Sequence, residues 1–344
     1  MKCILERTDP LINCYPNYGH IFSIVGKHTQ NYLPWIFNHF VQLYAPKGFK
    51  HGIRADFATP ELFKSFPWID TDHINRTIVK NKWDNILDFI KEYINNGYYI
   101  YTLFDVSKIS FYKAQTFWCH DPLIYGYDDE KQLIYFADNY KNGKYLIGQT
   151  SYKELIEASL AFENNTNVVD FLKGHYCIKY KTLYDFGNCR FADDYCYKFN
   201  RELFFNLIED YLCQRNSFKR WSSPQNLVEE EDDNVWGIGI YPYFQSFLDY
   251  VKKLEIKIDL RGFYVLCEHK KLLKKTFDFL VLKENYIIPE NCVALFEECI
   301  VLSSTICNLC LKYNLSSKGD IIEKIKDRIL KLEEKEKKLL LLIL

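Results

Sequence analysis

The sequence predicts an α+β protein with a mixed first half and a helical second half, and three observations carry that reading. Strand-like runs rich in aromatic and β-branched residues stop near residue 185. From about residue 200 onward, apolar residues recur at helical spacing instead. The apolar fraction of 48% is ample for a core, while charged residues make up an ordinary 26%. At 344 residues the chain is long for one domain, and the change of periodicity places the two units at 1–185 and 186–344.

The elements follow in order. WIFNHFVQLY (35–44) and DNILDFIKEYINNG (84–97) have helical spacing, the second ending in a glycine suited to a C-cap. YYIYTLFDV (98–106) reads as a buried strand. CHDPLIYGYDDEKQLIYFADNY (119–140) reads as two short strands around an acidic turn, followed by a strand at KYLIGQT (144–150). Ser151 is placed to cap a helix from Tyr152 to about Phe162, and HYCIKYKTL (175–183) closes the strand-bearing half. Five helical segments follow, at 201–215, 243–255, 263–284, 290–313 and 318–344. The run EEEDD (229–233), preceded by Ser222, Ser223 and Pro224, marks a loop between two of them.

Bulk properties exclude several function classes. A net charge of −1 gives no global attraction to nucleic acid or to an anionic membrane. The N-terminus lacks an apolar run with a small-residue cleavage site, and no uninterrupted membrane-spanning segment is expected. Twelve scattered cysteines in a lysine-rich chain fit reduced thiols in a cytoplasm better than a disulfide framework.

The hairpin carries the chemistry. Chain reversal brings His120 beside Asp138 if the turn holds three residues, and beside Asn139 if it holds four, because a one-residue slip changes the face. Either side chain can orient an imidazole. Cys119 points away from His120, since neighbours on a strand face opposite sides. Cys14 is better placed as a nucleophile. It lies where a loop with Pro10 and Pro16 runs into an apolar-periodic segment, and a helix N-terminus stabilises a thiolate. Its own N–H, with Asn13 or Asn17 nearby, is the expected oxyanion donor set.

The order Cys on an early helix, His at a strand start, then Asp or Asn on the next strand resembles the papain-like cysteine peptidases. Within that family it is similar to bacteriocin-processing peptidases and, more closely, to homologues in antibiotic pathways that form amides, such as the butirosin-type acyltransferase N-terminal domain and the closthioamide-type enzyme. The residues carrying the likeness include Asn13-Cys14-Tyr15, Trp35-Ile36, Gly97-Tyr98-Tyr99, His120-Asp121, Tyr125-Gly126-Tyr127-Asp128 and Ala137-Asp138, within residues 9–160. No Gln precedes Cys14 at the usual peptidase distance, so the oxyanion donor stays open.

The resemblance implies a papain-like fold, with a helix-borne Cys packed on an antiparallel sheet, and a C-terminal helical region. It further implies acyl transfer through a cysteinyl thioester. The acyl group would arrive on the phosphopantetheine of an acyl- or peptidyl-carrier protein and leave on a small amine or diamine. Cys14 would be the nucleophile, His120 the base and Asp138 its orienting group, with two alternatives: hydrolysis by a thioesterase or peptidase of the same fold, or a non-catalytic binding module that keeps the hairpin as scaffold. No ATP, bound cofactor or metal is expected. Lys270, Lys271, Lys274 and Lys275 form a basic helical stripe suited to an acidic carrier helix, or else a solvated face. Cys307 and Cys310 form a lone CxxC that reads as core alongside Cys292 and Cys299, and His20, His28 and His39 read as structural.

Overall fold

The computed structural model describes residues 1–50, 52–140, 142–181, 197–220 and 233–344. The loop expected around EEEDD and the last residues of the 175–183 strand lie outside the described residues, apart from Asp233. The chain folds as two units, Met1–Thr29 with Phe63–Tyr195, and Gln30–Leu62 with Cys196–Leu344. The first is a mixed α and antiparallel β unit and the second is mainly helical, as the periodicities require.

The first unit is built on one sheet. In spatial order its strands are Lys144–Ser151, Leu133–Tyr140, Leu123–Asp128, Tyr99–Thr102, His175–Tyr180 and Ile69–Ile74, with Lys2–Ile4 also paired to Leu123–Asp128. Every pairing is antiparallel. Helix Ile86–Asn95 turns Ile86, Phe89, Ile90 and Ile94 inward at 3.6-residue spacing, where they meet Ile100 and Phe136 of the sheet. Asn85 caps its first turn through two backbone N–H groups, and Gly97 beyond its end has φ 83°, which favours glycine. Ser151 and Glu154 form a reciprocal capping box on helix Tyr152–Glu163. Strand Ile69–Ile74 was not legible in advance, because only its first residue is fully buried and no alternation survives at that edge.

Residues 30–62 correct the expected boundary. The segment expected as one helix over 35–44 is instead helix Thr29–His39, with Pro34 inside it, followed by strand Leu43–Pro46. Gln42 breaks the helix: its side chain accepts from the Leu43 N–H and donates to Arg215 O and Ser217 Oγ. Leu43–Pro46 then pairs with Asn234–Trp236 and Asp56–Phe57, which binds this early segment into the helical unit.

Among the described residues, five longer helices follow in that unit, at Arg201–Leu212, Ile240–Leu254, Arg261–Lys283, Cys292–Ser316 and Gly319–Ile343. Cys292–Ser316 is, among the described residues, the one helix long and apolar enough by mean hydropathy to cross a membrane, although Glu297, Glu298 and several polar residues interrupt it. Its buried residues Cys292, Leu295, Cys299, Ile306, Cys307 and Cys310 follow helical spacing, which makes one of its faces core and gives the CxxC cysteines a packing role.

A buried polar network sits among these helices. Lys270 bonds Glu336, the His269 Nδ1 at 2.9 Å and the Tyr211 hydroxyl at 3.3 Å. Glu336 also accepts from Tyr211 at 2.9 Å and from Tyr241. His269 donates through Nε2 to Val41 O at 2.7 Å, which leaves Nδ1 as the acceptor for the ammonium group. Lys270 is 2% exposed and Glu336 1%. This removes Lys270 from the docking stripe, because residues one apart on a helix point about 100° apart and position 270 faces the core. Lys271 and Lys275 are exposed, while half-buried Lys274 pairs with Asp278 at 2.7 Å.

Candidate active site

Helix Pro16–Val25 starts with Pro16 at its first position, follows N-cap Tyr15, and has no side-chain cap. Cys14 stands immediately before that cap and is buried; none of the ten cysteines among the described residues is in a disulfide. The helix lies close against strand Lys144–Ser151, where Gly19 leaves room for the Tyr145 ring: a Cβ there would sit 2.6 Å from it. Two bonds fix the Cys14 segment: Asn139 donates its amide to Asn13 O at 2.6 Å, and His20 Nε2 donates to Asp121 O at 2.8 Å. The Asn139 amide also donates to Gly143 O at 3.0 Å. Cys14 is thereby bracketed by anchors on the residue after Asp138 and the residue after His120.

The hairpin register differs from both expectations. Its turn spans Asp129–Gln132, so Asp128 faces Leu133 and Gly126 faces Tyr135; a bulge at Tyr125 then makes Ile124 face Phe136. His120 is not on this ladder. Cys119–His120 pairs with Phe104–Asp105, and Pro122, lacking an N–H, separates the two short strands. The histidine still reaches Asp138, by side chain rather than by cross-strand opposition: His120 Nδ1 lies 2.6 Å from Asp138 Oδ2. Asn139 is excluded as the orienting group because it faces the opposite way, toward Asn13.

Asp138 is fully buried, and the same Oδ2 accepts from Tyr112 OH at 2.5 Å. Burial disfavours a charged His120 ring, but the charge and hydrogen bond of Asp138, with Asp121 beside it, outweigh this and raise its pKa to about 9. Because that value exceeds the 6.5 of an unfolded histidine, the ion pair's contribution to stability is complete below pH 6.5. It is lost as pH rises through about 9. His20 has the opposite sign: burial lowers it to about 4, so it is a neutral donor to Asp121 O while its Nδ1 faces Tyr145 OH at 2.9 Å.

His120 Nε2 has no hydrogen bond among the described residues, so the charged ring presents an N–H on the edge opposite its carboxylate partner. Asn17 falls in the first turn of the cysteine helix, and Asn13 contributes its carbonyl to the Asn139 bond. Tyr112, Tyr101 and Asp121 complete the site; the two tyrosines come from a turn and another strand and share no spacing with His120, whereas Asp121 follows it directly. The acceptor atoms of His120, Asp121 and Asp138 lie within 4.8 Å of one another. A cation there would have to displace the proton held between Nδ1 and Asp138, and the ring's free nitrogen is the other one. His28 stacks on Tyr180 at 3.9 Å and His39 bonds Trp35 O at 2.7 Å, both structural roles.

Asn139→Ala removes two hydrogen bonds to carbonyls, which is expected to cost about 1–3 kcal/mol in denaturant unfolding. It is also expected to slow alkylation of Cys14, because the loop before the thiol loses its anchor. No family model matches the chain, and a search of the curated proteins finds no match.

Proposed function

We propose that the first unit is a papain-like acyltransferase that forms amides through a cysteinyl thioester at Cys14. The observation that supports it best is the His120–Asp138 bond at 2.6 Å, with the Cys14 segment anchored to the neighbours of both residues. In this reading the Cys14 thiolate attacks the carbonyl of an acyl thioester carried on a carrier protein's phosphopantetheine. The bond to the carrier sulfur breaks and imidazolium His120 gives that sulfur its proton. An amine then attacks the enzyme thioester, His120 takes a proton from the nitrogen, and Cys14 leaves as thiolate. Thioester exchange is nearly isoenergetic and amide formation runs downhill, so no ATP enters.

Asp138 holds the imidazolium and Tyr112 holds Asp138. Exposed Lys271 and Lys275 are the remaining candidates for attracting an acidic carrier helix. Free cysteines fit a cytoplasmic setting. The test is amide formation from an acyl-carrier thioester and a small amine, with Cys14→Ala beside the wild type. Loss of the nucleophile is expected to lower the rate by about 10³-fold or more. An unchanged rate in Cys14→Ala removes the proposal, and free acid as the sole product makes the enzyme a hydrolase.

A further inference from the structure

One carboxylate suffices to orient a catalytic imidazole, yet His120 has two. Asp121 Oδ1 lies 3.6 Å from the same Nδ1 that bonds Asp138. Its other oxygen is clamped by Tyr101 OH at 2.7 Å, and Tyr101 is itself buried, edge-on to His20 at 5.0 Å between ring centroids. The backbone carbonyl of Asp121 takes the bond from His20 that docks the cysteine helix. One residue thus flanks the base with its side chain and the nucleophile's helix with its main chain.

We propose that Asp121 is a positioning residue, a second carboxylate that shares the charged imidazole of His120 with Asp138 and keeps Nε2 turned away from both. The proposal rests on His120 being the base of the reaction above, but it concerns the state of the ring and not the identity of the substrate. An aspartate that merely accepts the Tyr101 hydroxyl would leave that state untouched.

The groups facing Asp121 come from each element around it. They are His120 and Cys119 on its own segment, Asp138 on strand Leu133–Tyr140, Tyr101 on strand Tyr99–Thr102, Tyr112 on the Ser110–Tyr112 turn, and His20 on the cysteine helix. Burial raises the Asp121 carboxyl to about 6, against the pull of the His120 charge. Below that pH the second carboxylate is neutralised and its support for the imidazolium falls away. Above it, the second carboxylate is charged and the ring stays protonated toward pH 9.

The experiment is an NMR titration of the His120 ring nitrogens in the full chain, without any acyl donor, for wild type, Asp121→Asn and Tyr101→Phe. Asp121→Asn is expected to move the His120 midpoint downward by about one pH unit, the lower end of what an adjacent opposite charge supplies. The alkaline limb of Cys14 alkylation is expected to move with it. Tyr101→Phe keeps both carboxylates but frees one of them, and a smaller movement in either direction is expected. It also serves as the test if Asp121→Asn does not fold. A His120 midpoint that stays at its wild-type value in the variants that fold overturns the proposal. Because no acyl group is involved, an unmoved midpoint beside normal acylation counts against Asp121 alone. A moved midpoint without acylation counts against the transferase reading alone.

Discussion

Asp138→Asn is expected to lower acyl transfer by about 10⁴-fold while leaving the chain folded. The reason lies in the two oxygens of Asp138. Oδ2 serves both His120 and Tyr112, whereas Oδ1 is buried with no partner among the described residues. An asparagine must either bury its amide N–H₂ at the Oδ1 position without an acceptor or turn it toward His120. In the second case Nδ1 becomes an acceptor and the ring carries its proton on Nε2, the wrong edge for a base. Loss of the charge also removes the main attraction holding His120 near pH 9, so the alkaline limit of activity is expected to fall toward neutral pH. A pH–rate profile with unchanged limits and an unchanged rate would leave Asp138 a structural residue.

Lys270→Met is expected to destabilise the helical unit by about 3–5 kcal/mol, read from denaturant unfolding. It strands Glu336 in the core with two tyrosine hydroxyls and no cation. It also leaves His269 Nδ1 without its donor, and burial already keeps that ring neutral. Pairing the change with Glu336→Leu is expected to recover much of the loss, since the charge left behind dominates the cost and not the salt bridge itself. Equal losses in single and double variants would contradict this.

The parts of the site legible in the sequence are those set by local rules. Pro16 and the apolar spacing after it marked a helix start, so Cys14 stood out. The strand–turn–strand pattern of 119–140 brought His120 to Asp138, although the actual contact uses a different register. The bulge at Tyr125 and the break at Pro122 could not be read, because each depends on which strand becomes the neighbour. His120 pairs with Phe104, sixteen residues earlier, with no turn pattern linking the two. Tyr112 and Tyr101 were hidden for the same reason. Lys270 failed differently: a helix dense in lysine offers two adjacent stripes, and only a buried glutamate at position 336 decides which faces inward. The early strand Leu43–Pro46 escaped because its partners, Asn234–Trp236, come nearly two hundred residues later.

The most direct measurement is the intact-protein mass after incubation with an acyl thioester, for wild type and Cys14→Ala, with and without an added amine. The expected result is an adduct of the acyl mass on the wild type, absent from Cys14→Ala and discharged much faster by the amine than by water. No adduct with several thioesters, or an adduct that persists in Cys14→Ala, would contradict the thioester at Cys14 and leave the His120–Asp138 pair without its nucleophile.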